Sequence, residues 1–441
     1  MEFLIKAGQL ILSLSILIVL HEFGHFLPAR WFKTRVEKFY LFFDYKFSLF
    51  KKKIKDTEWG IGWIPLGGYV KISGMIDESM DTDQMKQEPQ PWEFRTKPAW
   101  QRLIIMIGGV VVNLIVGIVI YMLVLFTWGE DYMTMEDLPN GFAVHETFEQ
   151  YGFQDGDHIL KVGDEVPFDI MDVNAMLLLR DYREVTVRHL DGTEEEIQLP
   201  EDIDYKMFQQ DAMPAFIPRF YTVIDTIKGG SNADKAGLLK GDSLVSVNGI
   251  DVTFYDEFRE EILKHKNEEI SLGYYREGEL MQSNVMTDTA GSIGFYAKDW
   301  RSYYDFRHKD YSFGESIPGG ISLGMTTLSD YIAQLKFLFT SKGASSIGGF
   351  GAFGSLFAPT WDWHRFWMMT AFISIMLAFM NFLPIPALDG GHIMFLLYEM
   401  ITGRKPGDKF MQYAQMVGII LLISLLLYAN GNDIYKAITG N

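Results

Sequence analysis

The chain has no cysteine among its 441 residues. That absence removes disulfide bridges and thiolate metal ligands together, so any bound metal must be held by His, Asp or Glu. It fits an exported compartment without requiring one. Positive charge is also scarce: 39 Lys and Arg stand against 57 Asp and Glu, a formal net charge of −18. Phosphate backbones are bound by basic surfaces, which excludes nucleic acid as the main partner and disfavours acidic partners generally. What the chain has in quantity is apolar sequence gathered into long runs. The hydrophobic fraction of 48% is ordinary as an average, but its concentration points to a membrane protein with a water-soluble insert. The length gives room for two or more folded units.

The first run, Ala7 to Leu27, has the ~20 residues that a spanning helix needs. Lys6 ahead of it is compatible with a signal peptide. No small-residue cleavage site follows, however, and the run continues into His21-Glu22-Phe23-Gly24-His25, so it reads as a retained span. Leu103 to Phe126 is a second, uncharged span that ends at Trp128, an aromatic suited to a membrane interface. Phe366 to Ile401 is too long for one straight crossing and is interrupted by Pro384 and Pro386, which lack backbone donors. It reads as a helix, a break and more apolar chain. Met416 to Tyr428 marks a fourth span.

Lys and Arg in the short connections set the orientation. Arg30 to Lys53, Arg95 to Arg102 and Arg404 to Lys409 all fall on one side if both termini are outside, and that side is then the cytoplasm. The acidic segment from Gly129 to Arg365 lies outside. It contains an internal repeat, in which Gly152 to Asp164 aligns with Gly237 to Gly249. Both copies resemble the Gly-Asp turn, buried strand and second turn of PDZ domains, which bind extended peptides as an added strand. The candidate peptide edges are Gly141 to Val144 and Tyr221 to Ile224.

His21, Glu22 and His25 have the spacing His-Glu-x-x-His, which on a helix puts two imidazoles on one face to share a zinc ion, with Glu22 beside them as general base. Three ionisable side chains inside an apolar span are costly unless they serve a site. Hydrolytic zinc takes three protein ligands and keeps one position open. Asp389, after the proline break and before Gly390 and Gly391, is the best candidate for the third, with His392 a weaker one. A transmembrane helix hides its peptide bonds in its own ladder, so a protease must unwind it first. Gly60 to Ile64 followed by Pro65 to Val70 reads as a β-hairpin whose edge is suited to accept an extended substrate, or else as a hairpin serving only packing. Gly343 to Phe357 is either closely packed or a gate, and Met325 to Phe339 is amphipathic, suited to an outer membrane surface or to a core.

Taken together, His-Glu-Phe-Gly-His in a first span, Leu388-Asp389-Gly390 in a late one and the PDZ-like copies between them resemble the site-2 protease family, in its bacterial sigma-E-regulating form. The resemblance covers nearly the whole chain. It includes Pro65 to Lys71, similar to the family's membrane-associated β-hairpin, and Gly108 to Asn113 in the second span. One departure, Val162-Gly163-Asp164 where Val-Asn-Gly is usual, counts against peptide binding by the first copy.

The resemblance implies His21, His25 and Asp389 as Zn²⁺ ligands and Glu22 as the catalytic acid and base. It further implies substrate contacts from Asn381, otherwise a helix cap at the break, and from the hairpin at Gly67, Gly68 and Tyr69. The expected reaction is zinc-dependent peptide-bond hydrolysis within or near the spans of single-span membrane proteins, such as a trimmed anti-sigma factor or remnant signal peptides. The PDZ pair would gate access by binding peptide segments. The setting is the lipid bilayer of a bacterial inner membrane, with the active site toward the cytoplasm.

The expected fold class is therefore a multi-pass α-helical membrane protein of about four spans, with a membrane-associated β-hairpin region and two tandem extracytoplasmic PDZ domains. Its parts are span 1 with the zinc motif at 1–30, the hairpin region at 31–101, span 2 at 102–128, PDZ copies at 129–214 and 215–300, an amphipathic and Gly-rich connector at 301–365, span 3 at 366–401 and span 4 at 411–430. The competing reading is a membrane adaptor with peptide-binding PDZ modules and a structural zinc, against which stand Glu22 and a set of only three ligands. A metal transporter would need more polar residues in the spans than Asn113 and the site supply.

Overall fold

A computed structural model describes residues 1–75 and 87–439. The chain forms two compact units, one of residues 1–129 with 310–441 and one of residues 130–309.

Among the described residues, four helices of the first unit are long and apolar enough to cross a membrane: α1 (Glu2–Trp31), α2 (Ala99–Trp128), Trp363–Phe382 and Asp408–Thr439. In hydrocarbon a helix alone satisfies every backbone group within its own segment, so long apolar runs take this form. The helices α1 and α2 approach closely through Gly24 and Gly108, where a Cβ on either would run into the other's backbone. The helix Phe313–Leu338 opens with a capping box between Ser312 and Glu315 and sets Gly320 against the Met122 backbone and Gly324 against Ile118, both on α2. These small residues precede the amphipathic stretch Met325 to Phe339, in which Phe337 is buried and Met325, Ile332 and Phe339 are exposed.

The third apolar region divides as its prolines require. The helix Trp363–Phe382 stops, residues 383–388 run without helix, and Asp389–Thr402 starts a second one. Gly390 packs on the carbonyls of Phe382 and Leu383, and Gly418 of the last helix packs on the carbonyl of Pro386, both too close to admit a Cβ. Ala387 holds φ at +88°, a value that costs a non-glycine residue ~1–3 kcal/mol and persists only where the surroundings impose it. Arg102 and Glu399, 2.5 Å apart, clamp α2 to the helix Asp389–Thr402.

Between α1 and α2 lies a sheet of β1 (Val36–Phe43), β2 (Phe50–Ile54), β3 (Thr57–Ile61) and β4 (Ile64–Ile72), in the order β2-β3-β1-β4. This corrects the expected hairpin: β3 and β4 follow each other in sequence, but β1 lies between them, parallel to β3 and antiparallel to β4. The reason is local. The Gly62 amide donates to the Leu41 carbonyl and the Trp63 amide to the Phe43 carbonyl, so the connection crosses the end of β1 instead of turning back. The true hairpin is β2–β3, and β4 is an edge strand.

In the second unit one order of elements occurs twice. A short strand (Phe142–Val144; Ile224–Ile227) leads to a one-turn helix, then a strand (His158–Val162; Ser243–Val247), a helix (Asp172–Leu179; Tyr255–Leu263) and an antiparallel pair (Glu184–Arg188 with Glu194–Gln198; Glu269–Arg276 with Glu279–Met286). A last strand (Phe216–Pro218; Phe295–Ala297) then pairs back to the first. Pairing to Phe142–Val144 assigns Phe216–Pro218 to the first copy, past the boundary expected at residue 214. Of the expected peptide edges, Gly141 to Val144 runs into the strand that pairs with Phe216–Pro218, and Tyr221 to Ile224 joins the paired strand only at Ile224, with Tyr221 and Val223 bridged to Phe254 and Ser243; the last strand is the outer one in each copy.

Candidate active site

The histidines of α1 are one turn apart, as their i, i+4 spacing dictates, and the proline break turns Asp389 onto them. His21 Nε2 lies 3.3 Å from His25 Nε2, and Asp389 Oδ2 lies 3.2 Å from the first and 3.3 Å from the second. Tetrahedral zinc with bonds of ~2.0–2.1 Å holds its ligand atoms ~3.3 Å apart, so this near-equilateral triangle has the size that such an ion requires. The His25 Nδ1–H donates to the Ile105 carbonyl at 2.9 Å, which leaves the Nε2 lone pair facing the triangle. With lone pairs toward it, Asp389 Oδ2 is buried and has no hydrogen-bond partner among the described residues, the state of an acceptor suited to a cation. Among the described residues these three alone converge as a possible metal group. His392 lines the same cavity but is not one of them.

Glu22 lies against β4, which can come this near because Gly68 faces Ile18 and Glu22 with no side chain of its own. Between α1, the β4 edge and residues 387–389 lies a cavity of about 490 Å³. Tyr69 belongs to its wall. The ring stacks between Tyr40 and Phe43, and the hydroxyl donates to Asp44 at 2.8 Å, with Lys38 3.3 Å from the same carboxylate. Burial opposes ionisation of Asp44, but the Tyr69 hydrogen bond and the Lys38 charge outweigh it and hold its pKa below the usual carboxylate value. Gly67, at φ +150°, turns the chain against the Phe43 ring. The Asn381 amide, in the last turn of Trp363–Phe382, is 3.4 Å from His21 Nε2 and so borders the triangle.

Two residues of the stretch Gly108 to Asn113, which carries part of the resemblance but no assigned role, border the site. Gly109 of α2 lies directly beneath both imidazoles, where a Cβ would overlap them, and the Asn113 amide is 3.2 Å from His21 Nδ1. Beyond that resemblance, their signal in sequence is a glycine pair and a lone amide in an otherwise apolar span.

Similarity to known proteins agrees with this chemistry. The profile described as Peptidase family M50 matches residues 9–425. The protein named Protease RseP in Yersinia pestis is 28% identical over 98% of this chain and 99% of its own length. Regulator of sigma-E protease RseP of Salmonella typhimurium is 27% identical, covering 96% and 97%. A Vibrio cholerae protein whose name places it among the zinc metalloproteases is also 27% identical, covering 96% and 97%. The adaptor reading gives way to the enzyme, and the chain belongs to Peptidase family M50, a zinc-dependent membrane metalloendopeptidase of the site-2 protease, RseP-like type.

Proposed function

We propose that the chain is an intramembrane endopeptidase that hydrolyses peptide bonds within or near the spans of single-span proteins in a bacterial inner membrane. His21, His25 and Asp389 are its zinc ligands and Glu22 its acid and base. The observation that carries this reading is the ~3.3 Å triangle of ligand atoms open to a cavity walled by β4, the end strand of the described sheet.

The chemistry a zinc ion brings to such a site is Lewis acidity, which polarises a carbonyl and acidifies water to a pKa of ~7. The chain supplies the rest. The edge of β4 takes a substrate segment as an added strand around Gly67, Gly68 and Tyr69, which holds it unwound with its carbonyls in reach. Glu22, at that edge, removes the proton of the attacking water and returns it to the leaving amine. The Asn381 amide donates to the substrate carbonyl as charge develops on it.

The purified full chain should cleave a model single-span protein, stop with a zinc chelator and recover with added zinc. Asp389→Ala should lose zinc and cleavage together. Cleavage that survives this substitution with zinc still bound would move the third ligand elsewhere, His392 first.

The repeated modules are read as PDZ domains that gate access by binding peptide segments, outside the membrane with both termini. In the first copy the outer strand is already occupied. Asn174 donates to the Phe216 carbonyl at 2.9 Å and accepts from the amides of Ala215 and Phe216 at 2.7 and 3.1 Å, the backbone groups an added strand would need. In the second copy Tyr296 on the matching strand is 65% exposed. Peptide capture therefore falls to the second module. Because the chain lacks cysteine, single reporters are clean. In the full chain a client peptide should protect Tyr296→Cys from thiol labelling and leave Ile217→Cys as reactive as before. Protection at position 217 instead would reverse the assignment.

A further inference from the structure

We propose that Asn113 is a positioning residue for the metal site, holding His21 in the tautomer that ligates. The inference rests on the reading of His21 as a zinc ligand. An imidazole that binds through Nε2 carries its proton on Nδ1, and that N–H needs an acceptor which also fixes the ring's rotation. For His25 the acceptor is the Ile105 carbonyl. For His21 the polar group within reach of Nδ1 is the Asn113 side-chain amide, whose Nδ2 lies at 3.2 Å.

An amide exchanges its oxygen and nitrogen by a half turn about its last bond. Ligation through Nε2 selects the orientation with Oδ1 toward Nδ1–H, since the opposite one would put the proton on Nε2 and close that lone pair to a metal. Asn113 is 1% exposed; in the structure its Nδ2 is the atom toward His21 and its buried Oδ1 has no partner among the described residues, so ligation through Nε2 requires the half turn. A half-satisfied buried amide in an apolar helix weakens packing, so the residue is explained by the one contact it makes. Its backbone is held in place as well, because the Asn113 carbonyl accepts from Ser374 Oγ at 2.7 Å. The amide thus sits at a fixed point of the contact between α2 and Trp363–Phe382, and transmits that position to the ring.

The test is zinc affinity by chelator competition in the full-length detergent-purified protein, with thermal stability of the metal-free form measured alongside. Asn113→Leu, close in size and without an acceptor, should weaken zinc ~10–100-fold while metal-free stability stays near wild type. Asn113→Asp, which restores an acceptor, should return affinity to the wild-type level. A merely structural role would move stability and leave affinity alone, and that result, or an Asp variant no better than the Leu variant, overturns the proposal. His21→Ala separates the premises: loss of zinc there with wild-type affinity in Asn113→Leu rejects the role of Asn113 alone, whereas unchanged zinc in His21→Ala rejects the ligand reading beneath it.

Discussion

Glu22→Gln will keep its zinc and lose its cleavage, by ~10²–10⁴-fold, the contribution typical of a positioned acid–base group. The substitution is nearly isosteric. The glutamine fills the same place beside Gly68 of β4, and neither ligand histidine is touched, so the triangle and the cavity remain. What disappears is the capacity to take a proton from water and hand it to the amine. The discriminating measurement pairs zinc stoichiometry with the rate of cleavage in the same preparation. Asp389→Ala should lose both, because it removes a corner of the triangle, while Glu22→Gln should separate them and accumulate uncut client. A Gln variant that cleaved within a few-fold of wild type would leave the proton with another group, and one that lost zinc would make Glu22 a structural partner instead.

Much of this site was legible in the sequence because its chemistry is local. His21, Glu22 and His25 are bound to one helix face by a five-residue spacing, and two prolines in an apolar run announce a break whatever the surrounding fold. The pairing of β3 with β1 was not legible. The turn glycines between Gly60 and Gly68 suit a hairpin equally well, and only the strand Val36–Phe43, distant in sequence, decides that it wedges between them. The residues beneath the metal site are hidden for the same reason. The resemblance covers Gly108 to Asn113, but nothing local shows that Gly109 faces two imidazoles while Gly8 faces open space. Asn174 is a further case: an asparagine in a short helix reads as a cap or a surface residue, and its role as substitute strand partner depends on chain 42 residues away.

Gly109 yields the second large effect. Gly109→Ala is expected to weaken zinc binding and cleavage by ~10²-fold, the scale on which a displacement of about 1 Å costs a site its function. A Cβ there would stand 2.6 Å from His21 Cε1 and 2.8 Å from His25 Cε1, and nearer still to His25 Nε2. His25 cannot swing aside without breaking its bond to the Ile105 carbonyl. Helix α2 cannot retreat easily either, because Gly108 is pressed on the Gly24 backbone and Arg102 is clamped to Glu399. The strain therefore falls on the ligand triangle, whose atoms have little room before they leave tetrahedral spacing. Global unfolding would not explain the loss, since alanine favours a helix over glycine by ~1 kcal/mol. Gly8→Ala on α1, where a Cβ meets nothing within 4 Å, is the matched control and should bind zinc as wild type does. Equal zinc affinity in the two variants would mean that α1 and α2 part more readily than their glycine contact implies, and that the metal site is held by α1 and the Asp389 turn alone.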